Sequence, residues 1–375
     1  MFSRLSSLTL LLALLVSPSH AARIQVGSDT NVSLDVGLRL QTWLGWTENA
    51  ATDGSDLAEA SIRRAYVYFN GRVHPRVGYF AHLAGDRIGQ SNITANTGNG
   101  LGNGLAVRDA WTELDVLPGA NAPLARLQVG RMYVPFFRQM GTTATFTFAT
   151  IDAPSFEQGG FLPGRRVARD DGAVLWGNIF GGHLQYRAGV FDGSDNAGNG
   201  DVRTTARVVW YPWESENSWW NQGTYLDGKK VFGLGAAYDH LPNFSGTLDH
   251  DAWIVDAFFN HAFLGGVATL EGGYSEVDQD RTRFTGDYAY GHAAYLFPGE
   301  RLGGKQQIYG RYSHFNLDPG VTVAVNAEER EIGGGITHYL FGLGNRAKIT
   351  ADWTRSLQQA GREIDRATLQ FQVSF

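Results

Sequence analysis

The sequence predicts an all-β fold, a transmembrane antiparallel β-barrel of about sixteen strands. Three observations predict it: apolar and polar residues alternate in many segments, these segments are even in number, and short connections alternate with long ones. The composition agrees. Charged residues make up 18% of the chain, and its 48 glycines and 13% aromatic residues are interleaved with polar residues rather than grouped at helical spacing.

The amino terminus is predicted to be a signal peptide over residues 1–21, followed by one barrel domain over residues 22–375. Arg4 supplies a positive region, residues 8–16 form an apolar region, and Ser19-His20-Ala21 fits a small-residue cleavage site. This apolar region is far shorter than the roughly 20 residues that a membrane-spanning helix needs. We therefore leave these residues out of the predicted fold.

The charge balance and the cysteine count exclude several classes of function. The formal net charge is −6, so the chain has no basic excess that would attract nucleic acid. It contains no cysteine, which excludes disulfide and thiolate chemistry. No nucleic-acid partner is expected.

The alternation is clearest at the carboxyl terminus. From Ala367 to Phe375 every odd position is apolar, and every even position from Thr368 to Ser374 is polar. One such strand also fits a soluble sandwich, in which one face is buried. About sixteen strands with an apolar face are better explained by closure into a barrel whose outer face touches lipid.

The remaining segments show the same pattern. The predicted strands cover residues 32–47, 62–73, 77–86, 106–116, 125–135, 172–180, 183–193, 202–213, 230–241, 252–263, 266–278, 287–298, 304–317, 327–341, 346–359 and 362–375. Short turns are predicted at one end of the barrel, at 74–76, 181–182, 264–265 and 342–345. The connection 214–229 is the exception, since it is long where a short turn is expected.

Aromatic residues gather near predicted strand ends and are candidates for girdles at the two membrane interfaces. These residues are Trp43, Trp46, Trp210, Tyr211, Trp213, Tyr295 and Phe297. For any one of them, ordinary packing inside the protein is an equally good interpretation.

The longest irregular stretch runs from residue 135 to residue 171, after the fifth predicted strand. A connection of this length is usually functional or disordered. It contains several phenylalanines and four arginines, Arg138, Arg165, Arg166 and Arg169. We predict that it folds into the lumen and narrows the pore.

Two motifs resemble a known family. Residues 128–136 (QVGRMYVPF) and 161–168 (FLPGRRVA) are similar to the equivalent region of the phosphate-selective porin O and P family, and residues 62–71, 77–84 and 107–111 are similar to its early hairpins. The resemblance extends from about residue 32 to the end of the chain. It implies a sixteen-stranded trimeric channel whose third external loop folds inward and whose pore arginines and lysines bind anions. It does not fix phosphate as the solute.

The parity of the alternation assigns charged residues to the lumen. If the apolar face touches lipid, the inward arginines are Arg39, Arg64, Arg72, Arg126, Arg187, Arg203, Arg207, Arg311 and Arg366. Arginine rings favour anions, because a guanidinium binds carboxylate or phosphate. The acids Asp35, Asp109, Glu113, Asp256, Glu271, Glu331 and Asp352 share this parity, so ion-pair networks along the wall are the alternative.

The sequence thus predicts an outer-membrane porin, a passive diffusion channel for small hydrophilic solutes that is either general or prefers anions such as phosphate. The expected partners are outer-membrane lipid, the solutes and two further copies in a homotrimer. No cofactor, metal or catalytic residue is expected. The residues predicted to set the constriction and attract anions are Arg138, Arg165, Arg166, Arg169, Arg64, Arg126, Arg187, Arg207 and Arg311.

Three alternatives remain open at this stage. An outer-membrane barrel enzyme, a lipase or protease, would need a serine and a histidine at the rim, and Ser313, His314 and His292 are the nearest set. A loop near His240 and His250 is either a divalent-ion site or a solvated turn. A soluble secreted all-β binding protein is the third alternative.

Overall fold

The computed structural model describes residues 22–25, 32–51, 53–89, 105–120, 122–158, 168–193, 201–245, 247–280, 285–318, 321, 328–358 and 361–375. The predicted signal peptide lies outside the described residues. Among the described residues, no helix combines the length and the apolar character needed to cross a bilayer.

The described chain is built almost entirely from β-strands. The strands are β1 (Ala22–Gln25), β2 (Ser33–Thr47), β3 (Leu57–His74), β4 (Val77–Ile88), β5 (Leu105–Leu117), β6 (Ala125–Tyr133), β7 (Arg169–Ile179), β8 (Leu184–Phe191), β9 (Arg203–Trp210), β10 (Val231–Ser245), β11 (Leu248–Phe263), β12 (Gly266–Asp278), β13 (Gly286–Leu296), β14 (Gly304–Leu317), β15 (Glu328–Leu340), β16 (Ala347–Gln358) and β17 (Glu363–Ser374). All pairings between these strands are antiparallel.

Within the described residues, sixteen strands, β2 to β17, close into a transmembrane barrel in which each strand pairs with its neighbours in sequence. The seam joins β17 to β2, from Arg366 opposite Thr47 to Ser374 opposite Arg39. Phe375 continues it, since its backbone exchanges hydrogen bonds with Leu38. The predicted strand number is therefore confirmed. Strand β1 pairs with the beginning of β2, beyond the point where β17 ends.

The two faces of the wall divide as the alternation predicts. In β17, Phe371 and Val373 are 43% and 48% exposed, whereas Gln370 and Gln372 are 0% and 2% exposed. The same division holds around the barrel, where many valine, leucine and isoleucine side chains lie outside and polar side chains lie inside. An exposed apolar belt over a polar interior is the arrangement that lipid requires.

The predicted short turns are present at the end of the barrel where β17 terminates. Three of them place two successive residues at positive φ: Phe180 and Gly181, Leu264 and Gly265, and Phe341 and Gly342. Two consecutive positive φ values characterise the turns whose twist matches that of the flanking strands. Glycine at the second position adopts positive φ without steric strain, because it has no Cβ.

The prediction for residues 202–213 as one strand is partly wrong. Strand β9 ends at Trp210, and the chain then turns into the barrel, which leaves Tyr211 fully buried. Trp43 is also inside, because it shares the inward parity of Gln41. The interfacial assignment therefore fails for Trp43 and Tyr211, whereas Trp46 and Trp210 lie on the outer face at 37% and 51% exposure.

Two connections fill much of the lumen. The third loop (residues 134–168, described for 134–158 and 168) enters from one end, as predicted. Residues 211–230, here called the inner segment, enter from the other end, which was not predicted. The two join through backbone hydrogen bonds, from Asn221 N to Thr142 O at 2.8 Å and from Ala144 N to Asn221 O at 3.1 Å.

An apolar core therefore lies inside the barrel rather than between sheets. Phe137 of the third loop lies 6.0 Å from Tyr288, and Phe156 stacks on Phe315 at 4.2 Å between ring centroids. Trp219 of the inner segment packs against Trp176 of β7 at 5.7 Å. These contacts fill the side formed by β6 to β14 and leave open space on the opposite side.

Candidate functional site

A polar cavity of about 330 Å³ lies between the third loop and the opposite wall of the barrel. The third loop contributes Ile151, Asp152, Ala153 and Ser155. The wall contributes Trp43, Arg63, Arg87, Arg311, Glu331, Asp352, Thr354, Arg366 and Thr368. The cavity is thus a narrow part of the lumen, lined mainly by charged and hydroxyl side chains.

Asp152 fixes the third loop to the wall. Its Oδ1 accepts a hydrogen bond from Arg64 Nη2 at 2.7 Å, and its Oδ2 accepts one from Arg63 Nε at 2.9 Å. Burial raises the pKa of the Asp152 carboxyl, but the two guanidinium groups lower it further, so its pKa lies below the usual value. The carboxylate remains charged and holds both arginines.

A β-bulge explains how two consecutive residues reach the same carboxylate. Side chains in a regular strand point alternately to opposite faces, so Arg63 and Arg64 would normally diverge. Here the register between β2 and β3 shifts between Gln41 and Thr42, which leaves Arg63 as the extra residue. Both guanidinium groups therefore point inward, and both are buried.

Arg311 organises the opposite side of the cavity. Its Nη1 lies 2.7 Å from Glu331 Oε1, and its Nη2 lies 3.3 Å from Asp352 Oδ1. Glu331 also accepts a hydrogen bond from Ser155 of the third loop at 2.6 Å. The third loop is therefore attached to the wall on both sides of the cavity, which sets the width of the constriction.

A buried ion pair and two hydrogen bonds from wall side chains to backbone carbonyls hold the deeper part of the third loop. Arg138 binds Glu216 of the inner segment at 2.6 Å and Glu271 of β12 at 3.2 Å. Lys348 Nζ donates to Phe148 O at 2.9 Å, and Gln372 Nε2 donates to Phe146 O at the same distance. These bonds make the loop a fixed part of the lumen.

The structure places the predicted constriction arginines in three settings. Arg311 lines the cavity, and Arg64 supports it through Asp152. Buried or part-buried ion pairs hold Arg138 with Glu216, Arg169 with Asp109, Arg207 with Asp256, and Arg126 with Asp115. Arg187 is buried against Gln185 and the Trp219 carbonyl. Arg165 and Arg166 lie outside the described residues.

The wall arginines face the lumen, where most of them meet carboxylates. Arg203, for example, binds Asp239 at 2.7 Å and Asp170 at 3.4 Å. His250 Nε2 also contacts the Asp239 carboxylate, at 3.0 Å. Such pairs compensate charges that would be costly to bury alone. The mixed charge of the wall is thus largely organised into ion-pair networks.

The residues considered for catalysis and metal binding form neither a catalytic set nor a metal site among the described residues. Ser313 and His292 line one small pocket inside the barrel, but His292 Nδ1 lies 3.1 Å from Gln139 Nε2, and no hydrogen bond joins His292 to Ser313 in the described part of the chain. His314 follows Ser313 and points to the opposite face. His250 is buried beside Asp239, whereas His240 pairs with Asp251 toward the outside. In the part of the chain that the structure describes, no cluster of three such side chains forms a candidate metal site.

Sequence reasoning missed three important residues of the cavity: Asp152, Arg63 and Trp43. The adjacent pair Arg63-Arg64 interrupts the alternation of β3 and could have signalled the bulge. The parity of Trp43 matches that of Arg39 and Gln41, and could have placed it inside. No sequence signal identifies Asp152 as the partner, because the loop conformation determines which wall it reaches.

A closed sixteen-stranded barrel with an apolar outer belt and an inward third loop has the architecture of outer-membrane porins. Solved porin structures share this fold: OprB of Pseudomonas putida has a TM-score of 0.63, 12% identity, and covers 91% of this chain and 94% of its own. The anion-selective porin from Comamonas acidovorans has a TM-score of 0.59, 14% identity, and covers 92% and 100%.

The trimer form of OmpT, an outer membrane protein of Vibrio cholerae, has a TM-score of 0.53, 10% identity, and covers 92% of this chain and 99% of its own. No family model and no curated protein matches the sequence. At these identities the likeness to solved structures shows a shared fold. The porin fold is thus assigned, and the phosphate-selective subgroup is not.

Proposed function

We propose that this chain is an outer-membrane porin, a passive diffusion channel for small hydrophilic solutes with a mild preference for anions. The observation that carries the proposal is the cavity held between Asp152 of the third loop and Arg311 of the wall, inside a barrel whose outer face is apolar. A polar passage through an apolar belt lets hydrated solutes cross lipid. Its small section excludes large solutes.

The charge of the cavity supports the anion preference. Four arginines line it (Arg63, Arg87, Arg311 and Arg366) against three carboxylates (Asp152, Glu331 and Asp352), a formal charge of +1. The carboxylates accept hydrogen bonds from neighbouring arginines, so their oxygens are less available to a passing cation. Cationic constrictions favour anions.

The proposal includes outer-membrane localisation after export by the predicted signal peptide, and assembly as a homotrimer. The trimer form of the Vibrio cholerae protein with this fold supports the assembly. Anion attraction by Arg165 and Arg166 also belongs to the proposal. Phosphate as the particular solute has no support from a matched set of ligand positions. The lipase or protease alternative is not favoured, because no hydrogen bond joins Ser313 to a histidine among the described residues and His292 is paired with Gln139.

Reversal potentials test the proposal directly. The purified full chain is reconstituted in planar bilayers under a KCl gradient. It is expected to conduct, with a reversal potential whose sign indicates a preference for anions. Absence of conductance by folded protein would reject the channel. Conductance with cation preference would reject only the charge assignment, because pore formation and ion selectivity are separate readouts.

A further inference from the structure

A row of aromatic rings crosses the inner wall between the third loop and the end of the barrel where β17 terminates. Tyr68 of β3 and Phe80 of β4 lie 6.3 Å apart with an interplanar angle of 23°. Phe80 and Trp111 of β5 lie 5.3 Å apart at 22°. All three side chains lie on the inner face and are half-buried, so part of each ring is exposed to the lumen. Trp111 also packs against the apolar core inside the barrel.

Arg39 lies at one end of this row. Its guanidinium is 4.6 Å from the centre of the Tyr68 ring and 4.0 Å from that of Phe146 in the third loop. A guanidinium that lies between two aromatic rings is held flat, so its N–H groups point outward from its edge. Those donors are arranged to bind a planar anion edge-on.

Among the described residues, Arg39 forms no ion pair with a carboxylate, unlike most of the other arginines of the wall. The inward-facing acid Asp109 is already bound by Arg169 at 2.9 Å and by His82 at 2.7 Å. Further along the wall, Glu113 is bound by Arg126. The charge of Arg39 therefore remains available for a ligand.

The position of the row is fixed by the backbone around it. Gly37 lies beneath the Tyr68 ring, where an added Cβ would stand 2.0 Å from that ring. The Tyr68 hydroxyl donates to the Phe375 carbonyl at 2.7 Å, which holds the ring flat against the wall. Phe80 and Trp111 are directly opposite each other in the register of β4 and β5.

We propose that Arg39 together with Tyr68, Phe80 and Trp111 forms a binding subsite for aromatic carboxylates, the benzoate class of solutes. The carboxylate binds the guanidinium edge in the bidentate fashion that arginine favours, and the ring of the solute stacks on the aromatic row. A sugar fits less well, because the row offers ring faces and one cation rather than several converging hydrogen-bonding groups.

This inference rests on the proposed channel function and names a solute class for it. Blockade of chloride current by the purified full chain in planar bilayers tests it with three probes: benzoate, acetate for the charge alone, and benzamide for the ring alone. We expect benzoate to halve the current at a concentration about tenfold below that of either other probe, because only benzoate uses both parts of the subsite.

Two variants and one control complete the experiment. Arg39→Gln is expected to raise the half-blocking concentration of benzoate about tenfold, and Phe80→Leu about threefold. Arg355→Gln, which removes an exposed ion pair with Asp365, leaves benzoate blockade unchanged. Having two variants at separate positions keeps the test valid if one of them fails to fold.

The outcomes separate this inference from the proposed function. Benzoate blockade no stronger than that of acetate, or blockade unaffected by both Arg39→Gln and Phe80→Leu, overturns the subsite while the channel stands. Folded wild-type protein that conducts no chloride overturns both.

Discussion

Arg64 Nη2 lies 2.7 Å from Asp152 Oδ1, and this ion pair joins a wall strand to a loop residue 88 positions further along the chain. Arg63 reaches the same carboxylate because of the bulge in β3. On this side of the passage, the position of the third loop therefore depends on the Asp152 side chain. This relationship leads to the first two predictions.

Replacement of Asp152 by asparagine should loosen the attachment of the third loop to Arg63 and Arg64 of β3. Two buried guanidinium groups lose their carboxylate, which should lower the free energy of unfolding by about 3 kcal/mol. Single-channel recordings should show a larger and noisier conductance, with a stronger anion preference. Asp53→Asn is the matched control, since Asp53 lies in an exposed turn with Ser55. Equal conductance in the two variants would contradict the tether.

The Asp152 tether should resist moderate acidification. Its pKa is lowered in the folded protein, so its contribution to stability is fully present above the ordinary aspartate pKa of about 3.9 and is lost as the pH falls below that value. Titration of Asp152 should therefore leave the conductance unchanged as the pH is lowered from 7 to about 4. In Asp152→Asn the acid transition attributable to this residue should be absent.

Replacement of Arg311 by glutamine should shift the selectivity toward cations. The formal charge of the cavity falls from +1 to 0, and Glu331 and Asp352 lose their shared partner. One charge about 7 Å from a passing ion contributes about 0.6 kcal/mol in water, with opposite sign for an anion and a cation. The anion-to-cation permeability ratio should therefore fall about sevenfold. Reversal potentials measure this ratio directly.

The control for this variant is Arg355→Gln, in which the lost ion pair is exposed and lies away from the cavity. Its reversal potential should equal that of the wild type. A wild-type ratio in Arg311→Gln would show that the cavity does not set the selectivity.

Replacement of Glu216 by glutamine should loosen the contact between the inner segment and the third loop. Arg138 would keep only Glu271 as an ionised partner, and a buried ion pair that loses one member costs about 3 kcal/mol. Thermal unfolding in detergent should occur at a lower temperature. Glu214→Gln serves for comparison, because Glu214 is exposed and accepts a hydrogen bond from Lys230 N. Unchanged unfolding of Glu216→Gln would mean that the ion pair contributes little.

An arginine at Val255 tests the outer face. Val255 is 49% exposed and lies midway along β11, where the barrel is expected to meet the centre of the bilayer. The substitution Val255→Arg should destabilise the protein by about 2–4 kcal/mol in lipid vesicles. Asp53→Arg, in an exposed turn, should have little effect on the same unfolding curve. Equal stability of both variants would be inconsistent with a lipid-facing Val255.

The sequence predicts the wall of this protein well because each strand must present one face to lipid. The alternation of Phe371 and Gln370 records that requirement residue by residue, and it recurs in nearly every strand. It also placed Arg64 and Arg311 on the inner face. The bulge at Arg63 escaped prediction because it depends on the register between two strands, which one strand alone does not specify.

The interior of the barrel is less predictable. The length of the connection 214–229 showed that it was unusual, yet its inward path depends on contacts such as Glu216 with Arg138, which form only in the closed barrel. Trp43 was assigned to the interface from its neighbourhood in sequence, whereas its parity points inward. The partners of the arginines could not be deduced either. Loop residues such as Asp152 lack the apolar–polar alternation that shows which way the side chains of a strand point.

The seam joins β17 to β2, two strands of the barrel that lie more than 300 residues apart in the chain. Until β17 pairs with β2 and β16, each of these two strands has a row of unpaired backbone groups. Such groups readily pair with strands of other molecules. Shortening the chain by its final strand would therefore leave an open sheet, not a smaller cylinder. Both borders of the sheet must therefore be shielded during folding until β17 pairs with β2 and β16.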